Sequence, residues 1–243
     1  MAGVGTDLNL PGTRAEGAPA NDPLTMELFG HPFSSYTQKV LIALYEAGTP
    51  FEWRLLDPTQ PEALAEWGAV WPLQRMPLLR VEGQLWAESS VINEWLDRHR
   101  PGPRPLLPQD PDAALRVRLV DRFFDQYVMT PMQKLVFDHL RPTAARDAHG
   151  VAEARALLTR SYAWLDAELA DGRPWAAGDA FSLADCAAAP ALFYADWVHP
   201  IGPEHPRLRA LRQRLLARPS VARCVDEARP YRHYFPPGAP DRD

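Results

Sequence analysis

Serine side chains stand at two places where the sequence predicts that a helix begins. Ser34 and Ser35 precede one apolar helical pattern, and Ser89 follows Glu88 at the start of another. The backbone N–H groups in the first turn of a helix are unpaired and carry partial positive charge, so both places suit an anion. A hydroxyl held there can help to stabilise a thiolate, and an acidic side chain such as Glu88 can pair with a ligand amine.

Both helix starts also have a purely structural interpretation. The run Ser35-Tyr36-Thr37-Gln38 fits a capping box with its glutamine at the third helical position, so Ser35 is expected to cap the first helix. Ser34 is then not needed for the cap. Ser89 or Ser90 can cap the second helix, and serines at helix starts are mostly structural.

Two further motifs lie at the edges of predicted elements. Gln74-Arg75-Met76-Pro77 comes directly before a strand, and a proline at the first strand position indicates an edge or a special turn. Its peptide bond is either an ordinary trans bond or a cis bond. Phe181-Ser182-Leu183-Ala184-Asp185-Cys186 combines a capping box with a hydrophobic staple, which indicates a structural helix start.

These motifs lie on elements that the residue pattern predicts. The N-terminal half is predicted to contain strand Leu24–Phe29, helix Tyr36–Ala47 ended by Gly48, strand Phe51–Leu56, strands Leu78–Val81 and Gln84–Ala87 joined at Glu82-Gly83, and helix Ser89–His99. The order βαβ followed by ββα is that of an α/β thioredoxin-like domain, although other α/β folds share it. Everything after the proline-rich run of residues 100–111 is predicted to be helical.

The chain is therefore expected to form two domains. A thioredoxin-like domain over residues 24–99 and an all-α domain over 112–230 are joined by a linker at 100–111. Residues 1–23, rich in Gly, Pro and Ala, are interpreted as a flexible tail, and residues 231–243 as a C-terminal tail.

Composition limits the partners. The net charge of −5 over 243 residues supplies no basic field, so neither nucleic acid nor a membrane surface is expected as a partner. Cys186 and Cys224 match no metal or redox spacing, and no metal is predicted. The opening residues lack the apolar segment of a signal peptide and no run of about 18 apolar residues occurs, so the cytoplasm is the expected location.

In combination, the motifs resemble the glutathione transferase superfamily over about residues 24–230. SSYTQKV resembles the serine turn of the zeta and tau classes, MP their cis-proline element, ESSVI the glutathione signature, and SLAD the family's helix-capping box. The resemblance implies a homodimer that uses glutathione as co-substrate against a small hydrophobic electrophile.

The resemblance also implies roles for particular residues. Ser34, five residues before Lys39, would donate a hydrogen bond to the glutathione sulfur, with Ser35 as the alternative. The other residues that the resemblance places around glutathione are the backbone of Met76 before a cis Pro77 at the cysteinyl part, Glu88 and Ser89 at the γ-glutamyl part, and Arg75 at a carboxylate.

Two departures from the family pattern limit the reactions that the resemblance implies. No cysteine occupies the turn, so mixed-disulfide chemistry is not predicted. Tyr36 stands where the zeta class usually has cysteine, which argues against maleylacetoacetate isomerase activity. Phe33, Tyr36 and residues 127–132 are candidates for an electrophile pocket, with core packing as the alternative. A transferase-like module that turns over nothing remains the alternative to an enzyme.

Overall fold

A computed structural model describes residues 25–243, in which a small sheet domain precedes a helical domain. The predicted tail of residues 1–23, together with Leu24, lies outside the described residues. The first domain consists of β1 (Met26–Gly30), α1 (Ser35–Ala47), β2 (Glu52–Leu55), α2 (Pro61–Val70), β3 (Leu78–Val81), β4 (Gln84–Ala87) and α3 (Ser89–His99). The strand order is β2-β1-β3-β4, with β1 parallel to β2 and antiparallel to β3. The thioredoxin-like fold is confirmed.

Turn residues set the ends of several elements. Gly48 ends α1 with φ 64°, a left-handed conformation that glycine adopts without steric cost. Glu82 and Gly83 both have positive φ and join β3 to β4, as a two-residue hairpin turn requires. The predicted bounds of β3, β4 and α3 agree with the structure.

The helix α1 lies between the sheet and the second domain. The apolar spacing of Val40, Ala43, Leu44 and Ala47 predicts one buried face. The first three are buried and Ala47 is half-buried, but Leu41 and Ile42 are buried as well. The additional burial arises because α7 (Leu183–Val198) of the helical domain packs against α1. One hydrophobic core therefore runs through both domains, and a smaller cluster that includes Phe29 and Trp67 forms separately.

The second domain is helical. Its α-helices are α4 (Pro111–Phe123), α5 (Thr130–Asp138), α6 (Ala148–Glu168), α7 (Leu183–Val198), α8 (Pro206–Leu216) and α9 (Pro219–Ala228). The periodic pattern of residues 113–140 is interrupted at Pro131, which predicts a kink there. The structure has a π-helical segment, Phe124–Met129, between α4 and α5. Proline cannot donate the helical hydrogen bond and its ring crowds the preceding turn, and the wider π turn lies directly before it.

The last residues pack onto the protein rather than trailing from it. A 3₁₀ segment, Arg229–Tyr234, follows α9, and the next residue, Phe235, is buried beside Tyr194 and Trp197. Residues 231–243, interpreted from the sequence as a tail, thus begin within an ordered segment. The apolar contacts of Phe235 explain the order, because they offset the entropy lost by the chain end.

Candidate functional site

The turn after β1, residues 31–34, places a serine hydroxyl at the start of α1. Ser34 is the N-cap residue, with extended backbone (φ −80°, ψ 122°), and its Oγ accepts a hydrogen bond of 3.4 Å from the Thr37 N–H. Ser35 is the first residue of the helix, and its side chain is buried. The positive end of α1 therefore carries Ser34 Oγ at its edge.

The prediction that Ser35 caps α1 through a capping box is wrong. Gln38 does not reach back to the cap: its Nε2 donates to Pro32 O at 2.9 Å and to Tyr194 Oη at 3.0 Å. Because the Gln38 side chain bonds to Tyr194 on α7, it cannot form the capping box. Ser34, which the sequence left free of a structural role, is both the cap and the candidate reactive hydroxyl.

The register of the sheet brings three predicted site segments together at the same end of their strands, which we call the site edge. Phe29 pairs with Leu78 across β1 and β3, and Leu78 pairs with Ala87 across β3 and β4. The residues just beyond these pairs are the turn after β1, Pro77 before β3, and Glu88 after β4. Antiparallel pairing therefore places the turn, the proline and the acidic residue side by side.

The start of α3 offers backbone donors that no side chain caps. Glu88 is the N-cap residue with φ 68°, an uncommon conformation for a residue with a side chain, and its carboxylate is exposed. Ser89, the first residue of α3, is buried. Within residues 25–243 no side chain bonds to the first-turn N–H groups of α3, so these are available to a carboxylate from a ligand.

The segment before β3 has the predicted geometry at its proline. The Met76–Pro77 peptide bond is cis, and Met76 is half-buried against the smaller apolar cluster. Arg75 is exposed in the loop before it, and its guanidinium makes no hydrogen bond to the described residues. The structure therefore places Met76 and Pro77 at the site edge and leaves the predicted role of Arg75 a prediction.

A buried ionic cluster fixes α3 against the second domain. Lys39 is 1% exposed, and its Nζ lies 2.6 Å from Asp121 Oδ1 and 2.9 Å from Asp125 Oδ2. Nζ also donates to Ser90 Oγ at 2.7 Å, and Ser90 Oγ donates to Asp121 Oδ2 at 2.7 Å. Burial raises the pKa of Asp125, against the opposing effect of Lys39. Removing one partner would leave an uncompensated buried charge.

Of the residues predicted to line the electrophile pocket, some are buried in the hydrophobic core and others are partly exposed. Val128, Met129 and Met132 are buried in the hydrophobic core, so their role is packing. Tyr127 is half exposed, and Phe33 is half-buried against Tyr194, Trp197 and Phe235. Burial, followed by the charge of Asp125, raises the pKa of Tyr36 to about 12, so the phenol stays protonated at neutral pH.

Within the described part of the chain we find no metal site, no membrane-spanning helix and no reactive cysteine. From residue 25 onward, no three or more His, Cys, Asp or Glu side chains are grouped so that they could hold a metal ion. Among the helices of residues 25–243, none has the length and apolar content needed to cross a membrane. Burial raises the pKa of the Cys186 and Cys224 thiols well above the usual range, so neither is a reactive thiolate.

Comparison with known proteins agrees with this geometry. Residues 28–104 match the glutathione S-transferase N-terminal domain, and residues 128–219 match the C-terminal domain. A GST-like protein of Escherichia coli, YibF, is 30% identical over 204 residues, which span 82% of this chain and 97% of YibF. The chain belongs to the glutathione transferase superfamily.

Two solved glutathione transferase structures resemble the fold. One is a glutathione S-transferase from Methylobacterium radiotolerans in complex with glutathione sulfonate (34% identity, TM-score 0.71, covering 83% of this chain and 94% of that one). The other is a maleylacetoacetate isomerase from Anaeromyxobacter dehalogenans with dicarboxyethyl glutathione and citrate bound (26% identity, TM-score 0.67, covering 90% and 94%).

Several residues of this glutathione transferase superfamily member that lie beside the candidate site were not predicted from the sequence. Tyr194 Oη donates to Phe33 O at 3.0 Å, and Asp57 lies beside His31. Tyr194 is 161 residues from Phe33 in sequence, and no spacing rule connects them. The position of Lys39, five residues after Ser34, singled it out in the sequence, but nothing in the sequence pointed to its partners Asp121 and Asp125.

Proposed function

We propose that this chain is a glutathione transferase in which Ser34 donates a hydrogen bond to the glutathione thiolate. The observation that carries the proposal is the bonding of Ser34 Oγ. It accepts from Thr37 N–H and donates to no acceptor within residues 25–243, so its hydrogen is available at the positive end of α1. Lowering a thiol pKa from about 8.5 by two units requires roughly 2.7 kcal/mol of preference for the anion, which a hydroxyl and a helix start can supply.

The tripeptide lies along the sheet edge in this proposal. The uncapped start of α3 and Ser89 hold the γ-glutamyl carboxylate, and Glu88 holds the ammonium. The backbone of Met76 pairs with the cysteinyl part beside cis Pro77, and Arg75 assists at a carboxylate. Ser35 is the alternative to Ser34 at the thiol. The glutathione derivatives bound to the two structural neighbours support a ligand of this kind.

The reaction we propose is conjugation. The thiolate sulfur supplies the electron pair of a new carbon–sulfur bond, and the leaving group departs with the pair of the bond that breaks. The electrophile is small and hydrophobic and lies between the domains near Phe33 and Tyr36. Tyr36, in the place of the zeta-class cysteine, favours conjugation over the isomerisation carried out by the relative from Anaeromyxobacter.

A homodimer and a cytoplasmic location complete the proposal. Val91 on α3 and Leu115 and Leu119 on α4 are exposed apolar side chains. The ion pair of Glu94 with Arg118 joins the same two helices, so these side chains lie on adjoining elements. A second copy of the chain is the proposed cover for this surface.

The test compares Ser34→Ala with Ser35→Ala. We expect Ser34→Ala to raise the pKa of bound glutathione and to lower kcat at neutral pH by about 10²-fold, the usual cost of losing one well-placed donor. Because Ser34 also caps α1, the variant should lose about 0.5–2 kcal/mol of stability. Ser35→Ala should leave both the thiolate titration and kcat close to wild type. The measurement is the thiolate absorbance of the complex against pH, with turnover of a panel of electrophiles.

Two outcomes would contradict the proposal. If Ser35→Ala shifts the titration and Ser34→Ala does not, the two serines have exchanged roles. If neither variant shifts it and the wild-type protein conjugates no electrophile, the chain is a non-catalytic transferase-like module.

A further inference from the structure

The backbone of the Ser34 turn is held by hydrogen bonds from both domains, and His31 makes two of them. Its carbonyl oxygen accepts from the Ser34 N–H at 2.9 Å, and its Nδ1 accepts from the Phe33 N–H at 3.1 Å. The remaining turn carbonyls accept from Gln38 and Tyr194. The Nδ1 contact is the bond of this set made by a histidine, the side chain whose ordinary pKa lies nearest to neutral pH.

The hydrogen bond from the Phe33 N–H to His31 Nδ1 defines which ring nitrogen of His31 carries the hydrogen. Nδ1 can accept only when it carries no hydrogen, so the hydrogen of the neutral ring is on Nε2. Nε2 lies 3.5 Å from Asp57 Oδ2, close enough for electrostatic attraction but too long for a good hydrogen bond. Thr59 donates to Asp57 Oδ1 from its N–H at 2.9 Å and from its hydroxyl at 2.7 Å. These bonds hold the pKa of Asp57 below its usual range, so a carboxylate faces Nε2.

The C-terminal segment completes the surroundings of His31. The Tyr231 ring packs edge-on at 4.4 Å between centroids, the Tyr234 ring lies at 5.9 Å, and Tyr234 Oη donates to Asp57 Oδ2 at 3.3 Å. His31 is 8% exposed. Burial lowers its pKa, against the raising effect of Asp57, the charged group that faces it. The ring is therefore neutral at physiological pH, as the Phe33 bond requires.

We infer that His31 is a positioning residue for Ser34: its Nδ1, with the ring oriented by Asp57, fixes the turn that aims the Ser34 hydroxyl. The inference rests on the proposed function of Ser34. A displacement on the order of 1 Å of a positioned group can cost about 10²-fold in rate, so a single backbone bond at this turn has measurable consequences. His31 itself contacts neither the thiol nor the electrophile in this scheme.

Two substitutions separate the δ position from the ε position of the ring. His31→Asn can place an amide oxygen where Nδ1 lies and so accept from the Phe33 N–H. His31→Gln places its amide one atom farther, facing Asp57, and offers no acceptor at δ. Both variants lose the ring contact with Tyr231 and should lose stability to a similar extent, which makes each the control for the other.

The expected result is a difference in chemistry without a matching difference in stability. His31→Gln should raise the pKa of bound glutathione and lower kcat at neutral pH by about ten- to 10²-fold. His31→Asn should restore both to within a few-fold of wild type, while the two melting temperatures stay alike. Equal thiolate titrations and equal kcat values in the two variants would overturn the inference.

A double variant distinguishes this inference from the proposed function. If His31 acts through Ser34, then His31→Gln should have little further effect in a Ser34→Ala background. An undiminished effect there would overturn the inference alone. If Ser34→Ala by itself leaves the titration unchanged, the proposed function fails instead.

The wild-type protein gives a measurement that needs no variant. Nitrogen NMR of the His31 ring should show the Nε2–H tautomer, and the Phe33 amide should be protected from hydrogen exchange. An Nδ1–H tautomer at neutral pH would overturn the inference even if His31→Gln fails to fold.

Discussion

The hydroxyl of Ser34 can both accept and donate hydrogen bonds, and within residues 25–243 it only accepts one. Its lone pair accepts from Thr37 N–H, which satisfies one unpaired donor of α1, and its hydrogen remains for a ligand. Capping and thiolate binding are therefore compatible in one side chain. At the neighbouring site, Glu88 holds a positive φ that places α3 directly after β4.

At the residue scale, we expect Glu88→Gln to weaken glutathione binding. The change removes the charge assigned to the ligand ammonium and keeps the size of the side chain, so the KM for glutathione should rise while kcat at saturation stays nearly constant. Titration calorimetry with glutathione and steady-state kinetics are the measurements. Glu82→Gln is the control, because Glu82 also has positive φ but lies at the hairpin turn and accepts from Thr25 N–H. An unchanged KM in Glu88→Gln would remove this residue from the site.

At the scale of the element, α7 begins with a fully buried carboxylate. Asp185 Oδ2 accepts from the Ser182 N–H at 2.9 Å and from its hydroxyl at 3.0 Å, and Oδ1 accepts from the Ala176 N–H at 2.8 Å. The predicted capping box is confirmed. Burial raises the pKa of Asp185 to about 6, and the hydrogen bonds only partly oppose it.

The raised pKa of Asp185 predicts a pH-dependent contribution to stability. Between the unfolded value of 3.8 and about 6 the folded protein binds more protons at this group, so its contribution is full below 3.8 and is lost as the pH rises through 6. The difference in unfolding free energy between wild type and Asp185→Asn should therefore shrink from pH 4 to pH 7.

Denaturant titrations over this range measure the difference. Comparing the two proteins cancels groups common to both, including His31 and His199, whose pKa values burial lowers. Ser182→Ala is the control: it keeps the carboxylate but removes a hydroxyl that lowers the pKa of Asp185, so its stability should still fall over this range, at least as steeply as that of wild type, at a cost of about 0.5–2 kcal/mol. A constant difference between wild type and Asp185→Asn would contradict the assignment.

On the scale of the whole molecule, the two domains share one core and a buried ionic cluster. Lys39 on α1 reaches Asp121 and Asp125 of the second domain, and Tyr194 on α7 bonds the turn that holds Ser34. The geometry of the candidate site therefore depends on the contact between the domains. The thioredoxin-like half, with fewer than 80 residues, also gains stability from any surface that covers it.

The proposed dimer predicts that Leu119→Glu produces monomers. A carboxylate buried without a partner in the covered surface opposes association strongly, whereas the wild-type chain should sediment as a dimer at micromolar concentration. Leu140→Glu is the control, since Leu140 is equally apolar and exposed but lies beyond the end of α5. A wild-type protein that sediments as a monomer, or a dimeric Leu119→Glu variant, would contradict the proposed interface.

Local signals in the sequence determined most of the elements and the order of the site segments. Gly48, the Glu82-Gly83 turn and the Ser182 to Asp185 capping box act within a few residues, because backbone conformation and neighbouring hydrogen bonds decide such features. The two-residue turn at Glu82-Gly83 led to the correct bounds of β3 and β4, at whose ends Pro77 and Glu88 lie.

The tertiary structure decided which serine caps α1 and what holds its turn. Gln38 would complete a local capping box with Ser35, but its amide bonds Pro32 O and Tyr194 Oη instead. The burial of Phe235 likewise depends on α7. The contacts of Gln38 and of Phe235 with Tyr194 join residues far apart in the sequence, and their free energy comes from packing that exists only once both domains have assembled.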